Sequence, residues 1–162
     1  SITFSSDITS TYGEYIFKWY NFNPGTDNSH LTFQANATDS TSYDETITST
    51  FFQAVHDEAD SSATLSYTTA NDQAQGTADQ KLLYGTGNGA DESAAGELHL
   101  FNPSSTTYAK HFTARCQNGD GSNNCVDHFI AGYFNTTTAI DDIQFKVSAG
   151  VFDGVIKMWG VK

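Results

Sequence analysis

Residues 128–162 read HFIAGYFNTTTAIDDIQFKVSAGVFDGVIKMWGVK. Within them Ile143, Phe145 and Val147 alternate with Gln144, Lys146 and Ser148, the period-two pattern of a strand with one buried face. Ser148-Ala149-Gly150 ends that run, and Asp153-Gly154 is a turn signal ahead of a second run, Val155 to Val161. The expectation is two strands paired near that turn, with the C-terminal end of the chain held in a sheet.

The upstream chain has the same texture. Glu14 to Phe22 (EYIFKWYNF) is the densest aromatic run, with Tyr15, Phe17 and Trp19 on one strand face and Ile16, Lys18, Tyr20 and Phe22 on the other. Both faces are largely apolar, which suits a strand inside a sandwich or at a subunit contact. Asn23 to Asn28 is a turn by its chemistry. Leu31, Phe33 and Ala35 then alternate with Thr32, Gln34 and Asn36 as a half-buried strand. Thr46 to Val55 fits either a strand or a short helix, and Thr69 to Gln80 carries little structural signal. Gly96 to Phe101 and Tyr108 to Cys116 flank a turn at Asn102–Ser105. Roughly eight to ten short strands, with turn signals roughly every 8–15 residues and no amphipathic helix, predict an all-β fold. The expected architecture is a two-sheet antiparallel sandwich, jelly-roll-like, in a single domain over residues 1–162, with residues 1–11 as an N-terminal arm or edge strand.

Composition narrows the function. The 12 Phe, 8 Tyr and 2 Trp predict an aromatic core. A net charge of −12 with only 7 Lys plus Arg leaves no basic stripe to neutralise phosphates, so nucleic acid is not an expected partner. No apolar run approaches the ~20 residues of a membrane span, so neither is a membrane.

Cys116 and Cys125 bracket Gln117–Asn124, which is neither a zinc spacing nor a Cys-x-x-Cys redox pair. A disulfide across the base of a turn is expected, stabilising by ~2.5–3 kcal/mol through loop entropy; two free thiols are the alternative. Glu97 and His99 share a strand face, and a hairpin at Asn102–Ser105 brings His111 towards them. These three are the candidates for a metal or acid/base site, against solvent-facing side chains, and no bound metal is expected. Asn118, Asp120, Ser122 and Asn124 resemble a calcium loop only faintly, and the glycines between them suit a tight turn. No nucleophile elbow, phosphate loop or zinc-protease helix occurs, so the chain is not expected to be an enzyme and no cofactor is implied. Asn36-Ala37-Thr38 and Asn135-Thr136-Thr137 match the N-glycosylation triplet.

Three phrases carry a resemblance: EYIFKWYNFNPGTDN (14–28), LHLFNPSSTTYAKHFTAR (98–115), and FIAGYFNTTTAIDDIQFKVSAG with GVIKMWGVK within 129–162. Together they resemble small virion structural proteins of tailed bacteriophages, which often carry a Leu-His-Leu-Phe-Asn-Pro type segment and finish in Gly-x-Ile-Lys-x-x-Gly-x-Lys. The resemblance spans the two ends of the chain and leaves its middle unsupported. It implies a capsid decoration (cement) protein, a homo-oligomer with a trimer favoured, made in the host cytoplasm and bound to the outer head surface, with the major capsid protein or other virion proteins as partners. The expected contact residues are Tyr15, Phe17, Trp19, Ile156, Met158 and Trp159, on the aromatic strands Glu14–Phe22 and Val155–Val161. The alternative is a fibre- or tail-associated host-recognition module that binds a surface glycan, with Trp159, Tyr133 or Tyr84 stacking on sugar rings. The resemblance supplies no catalytic residue.

Overall fold

The computed structural model describes residues 1–5 and 7–162; Ser6, within the expected N-terminal arm, lies outside them. The described residues form β1 (Ile2–Ser5), β2 (Glu14–Pro24), β3 (Leu31–Ala37), β4 (Ile47–Asp57), β5 (Ala63–Tyr67) and β6 (Ala74–Gly76). They continue with β7 (Gln80–Lys81), β8 (Ala94–Phe101), β9 (Lys110–Gly119), β10 (Asn124–Phe134), β11 (Ile140–Val147) and β12 (Phe152–Val161), and contain no helix. The strands build two antiparallel sheets packed as a sandwich. One has four strands in the order β1-β11-β3-β7. The other has eight, in the order β12-β2-β8-β9-β10-β4-β5 with β6 also beside β4.

The core is the aromatic layer between the sheets. Phe145 of β11 meets Phe17 of β2 at 5.4 Å between ring centroids and Trp19 at 6.3 Å. Phe33 of β3 meets Phe112 of β9 edge-on at 5.1 Å and Phe134 of β10 at 5.9 Å. Such offset and edge-to-face pairs add to the burial of the rings themselves. Gly96 is needed where it stands, because a Cβ there would come within 2.7 Å of the Trp19 ring.

Several expectations need correction. β11 and β12 do not pair: β11 lies between β1 and β3 in the small sheet, whereas β12 is the edge of the large sheet, against β2. The turn at Ser148–Gly150 carries the chain from one sheet to the other. Gly150 has φ +69 there, and a Cβ would meet Thr26 Oγ1 at 2.6 Å, so both conformation and space call for glycine. Asp153-Gly154 is not a turn either; it lies within β12, opposite a bulge in β2.

That bulge changes which way β2 faces. The register slips between Trp19 and Phe22 against β8, and between Tyr20 and Asn23 against β12, leaving one extra residue in β2. Asn21 takes φ 55, the left-handed region that asparagine tolerates better than most side chains. The inward set therefore changes from Tyr15, Phe17 and Trp19 to Phe22 and Pro24, so Phe22 is in the core and not beside Tyr20.

Thr46–Val55 resolves as strand, most of it in β4, and the low-signal stretch from Thr69 contains β6 and reaches β7. β3 is buried on both faces, not half-buried. The outward Gln34 donates through Nε2 to the carbonyls of Glu45, Thr77 and Ala78, so loops of the chain itself cover the outside of β3.

Candidate functional site

The outer face of the eight-stranded sheet has no such cover. Cross-strand register aligns one row of outward residues from edge to edge: Lys157, Lys18, Glu97, Arg115, Phe129, Phe52 and Tyr67. The next row runs Trp159, Ile16, His99, Thr113, Ala131 and Thr50. The two ends of the face are apolar. At the β12 end stand Val155, Trp159 (45% exposed), Val161 and Tyr20; at the β4–β5 end stand Phe52, Leu65 (73% exposed) and Tyr67. Phe52 and Phe129 stack at 4.9 Å with planes 3° apart, and the Arg115 guanidinium lies 4.9 Å above the Phe129 ring.

The middle of the face is charged and internally paired. Lys18 Nζ is 3.0 Å from Glu97 Oε2. His99 lies between two carboxylates, with Nδ1 2.5 Å from Glu14 Oε1 and Nε2 3.5 Å from Glu97 Oε1. Arg115 donates through Nε and Nη2 to the Asp127 carboxylate, 2.7 Å at the closest. The hydrogen bond from Lys18 holds the Glu97 carboxyl below its usual range, and His99 adds to the effect.

Glu97 and His99 thus come together as expected, joined by Glu14, which the local pattern did not single out. His111 does not join them. His99 faces Thr113, and His111 sits one register step further along, against Tyr133. Among the described residues no group of three or more His, Cys, Asp or Glu is arranged to hold a metal ion. The carboxylate–imidazole cluster lies on an open sheet face, and its charges are paired among themselves.

The expected contact residues divide. Tyr15, Phe17 and Trp19 are 1%, 0% and 2% exposed and face the opposite sheet, so they belong to the core. Ile156 and Met158, opposite Trp19 and Phe17 in the register, are half-buried and pack on that core. Trp159 alone of the six stands out on the open face. The outward residues at that edge are those of the opposite parity: Ile16, Lys18 and Tyr20 of β2, with Val155, Lys157 and Trp159 of β12.

The expected disulfide is absent. Cys116 and Cys125 are free thiols, the first buried and the second exposed. Cys125 pairs with Gly119, three positions beyond Cys116 on β9, and the odd offset puts the two side chains on opposite faces of the sheet. Three residues of extended strand span roughly 10 Å, beyond the ~7 Å Cα separation a disulfide tolerates. The hairpin turn lies at Asp120–Asn124. Asp120 Oδ1 accepts hydrogen bonds from the Ser122 and Asn124 amides, so these residues form a tight turn. Of the glycosylation triplets, Asn36 is buried within β3, whereas Asn135 is exposed.

No protein-family description and no curated protein matches the chain. A structural-genomics crystal structure of unknown function from Bacteroides ovatus is similar over 67% of this chain and 46% of its own length, at 6% identity and TM-score 0.33. So distant a likeness assigns neither fold nor function.

Proposed function

We propose that this chain is a structural protein of a virus particle, a decoration protein that docks onto the outer head surface through the open face of its eight-stranded sheet. One observation carries the reading. The two sheets differ on their outer faces: in the small sheet β3 is covered by the chain's own loops, whereas the large one leaves Phe52, Leu65, Tyr67, Tyr20, Val155 and Trp159 exposed around a charged centre. Apolar anchors around paired charges suit a specific protein contact, in which the anchors bury area and the charges set orientation. The sequence resemblance to phage particle proteins supplies the kind of partner: the major capsid protein, other virion proteins, or further copies of this chain in a trimer.

The test is occupancy on purified particles, with solution mass from light scattering. The expectation is a copy number commensurate with the capsid lattice. Phe52→Glu and Trp159→Glu, both at exposed positions, are each expected to lower occupancy at least tenfold while the protein stays folded. A wild-type chain that is absent from the particle, or variants that dock as well as wild type, overturns the reading.

A further inference from the structure

At one end of the sandwich, away from the open sheet face, three loops enclose a pocket of about 400 Å³. Asp27 and Asn28 come from the β2–β3 loop, Tyr84 and Gly85 from the segment after β7, and Asp120 to Ser122 from the β9–β10 turn. Val55 and Val126 form an apolar floor on β4 and β10, with Gln53 beside them. The volume falls in the ~300–1,000 Å³ range of small-molecule sites. We propose that this pocket binds a neutral saccharide unit. The inference does not depend on the particle reading.

The pocket is preorganised. Ser29 and Thr86 exchange backbone hydrogen bonds at 3.2 and 2.9 Å, and the Gly87 amide donates to the Gly119 carbonyl at 3.4 Å, so the three loops are tied into one rim. Tyr84 is held through its ring face by His30, stacked at 4.7 Å and 17°, and by Lys81, whose Nζ lies over the ring 5.3 Å from the centroid. The Gly85 amide donates to His30 Nδ1 at 3.1 Å, which fixes that nitrogen as an acceptor and the ring as neutral. A wall held in this way costs little ordering entropy when a ligand enters.

The chemistry of the lining selects the ligand class. Asp27 and Asp120 are the charged side chains on the wall, and no Lys, Arg or His lines it, so an anionic ligand is repelled. Asn28, Gln53, Tyr84 and Ser122 present mixed donors and acceptors above the two valines. A sugar ring matches that division, with C–H groups for the floor and hydroxyls for the rim.

Behind the pocket floor two buried acceptors lack partners. Gln53 and His128 face each other across β4 and β10, and both Gln53 Oε1 and His128 Nδ1 are buried with no hydrogen-bond partner in the protein. His128 Nε2 lies 2.8 Å from Asn118 Oδ1, and Asn118 Nδ2 donates to the Gly119 carbonyl. Nε2 therefore carries the proton, and Nδ1 is an acceptor. Both atoms are closed off from solvent and His128 does not line the pocket, so they belong to the packing behind the floor and do not select the ligand.

Amide-detected NMR titration of the uniformly ¹⁵N-labelled protein tests the proposal, using glucose, galactose, mannose and N-acetylglucosamine, with sialic acid as the anionic control. At least one neutral sugar is expected to saturate with millimolar affinity or better. It should shift amides of residues 27–30, 84–87 and 119–122 together, while sialic acid leaves them unmoved. Asp27→Ala and Ser122→Ala, both at exposed loop positions, should each weaken binding about tenfold. Trp159→Ala should leave it unchanged. The proposal is overturned if no neutral sugar in the panel shifts these amides, if sialic acid binds better, if both loop variants bind like wild type, or if Trp159→Ala abolishes binding.

Discussion

Cys116 is 1% exposed, and burial pushes its thiol well above the ordinary range, with the Asp127 and Glu97 carboxylates adding to the shift. Cys125 stands exposed on the other face. Iodoacetamide should therefore label Cys125 in the folded protein and Cys116 only after denaturation, read by mass spectrometry without reductant. A protein that takes up no label when unfolded would be bridged after all. His128 shows the same desolvation acting on a base: burial lowers its pKa from 6.5 to about 4, against the opposing pull of Asp127. Between these values the unfolded chain holds a proton that the folded chain lacks. The stability linked to the neutral ring is thus fully present above pH 6.5 and lost as pH falls towards 4. The shift corresponds to on the order of 3 kcal/mol. Urea unfolding at pH 7 and pH 4.5 should show a larger acid loss for wild type than for His128→Gln, in which this titration is gone; equal losses would discount it.

Two strands depend on features that alternation alone does not describe. In β2 the bulge at Asn21 lets Tyr15, Phe17 and Trp19 face the core and then Phe22 face it as well. A β-branched residue at φ 55 is strained, so Asn21→Val should cost about 1–2 kcal/mol in chemical denaturation, whereas Asn21→Gly should be close to neutral. Equal stabilities for the two variants would mean that the left-handed conformation is unimportant. In β12 the inward Ile156 and Met158 pack on the core, so deleting Val155–Lys162 uncovers β2. The deletion should unfold the protein or leave it aggregating, with loss of near-ultraviolet circular dichroism. A well-folded truncated chain would show β12 to be an appendage.

At the scale of the whole molecule, the difference between the sheets organises the surface. In one sheet β3 is covered by the chain's own loops. The other presents a face seven strands wide along its central row, with hydrophobic ends and a paired charged middle. The loop-end pocket opens elsewhere, so docking through the face leaves it accessible. Trp159→Glu and Phe52→Glu should act on assembly alone, and Asp27→Ala on the pocket alone. A double variant that combines one from each group should show the sum of the two effects, since sites without shared partners are additive. Strong non-additivity in occupancy or sugar affinity would indicate that the two surfaces form one site.

The chain by itself determined the all-β sandwich and the position of most of its strands. Alternation over 2–4 residues is a local consequence of side-chain direction, and GELHLF or IQFKV can be read without knowing any neighbour. It also marked Glu97 and His99 as close partners, because they lie two apart on one strand. Tertiary structure decided everything that depends on which strands are neighbours. Nothing near Ile143 or Val155 says that β11 joins β3 while β12 joins β2. The partner is chosen by the aromatic layer that both strands help to fill. The same holds for Cys116 and Cys125, separated by an odd register offset, for Glu14 meeting His99, and for the row from Lys157 to Tyr67. The pocket was least legible, since its walls come from three loops and two strands brought together only when the sandwich closes.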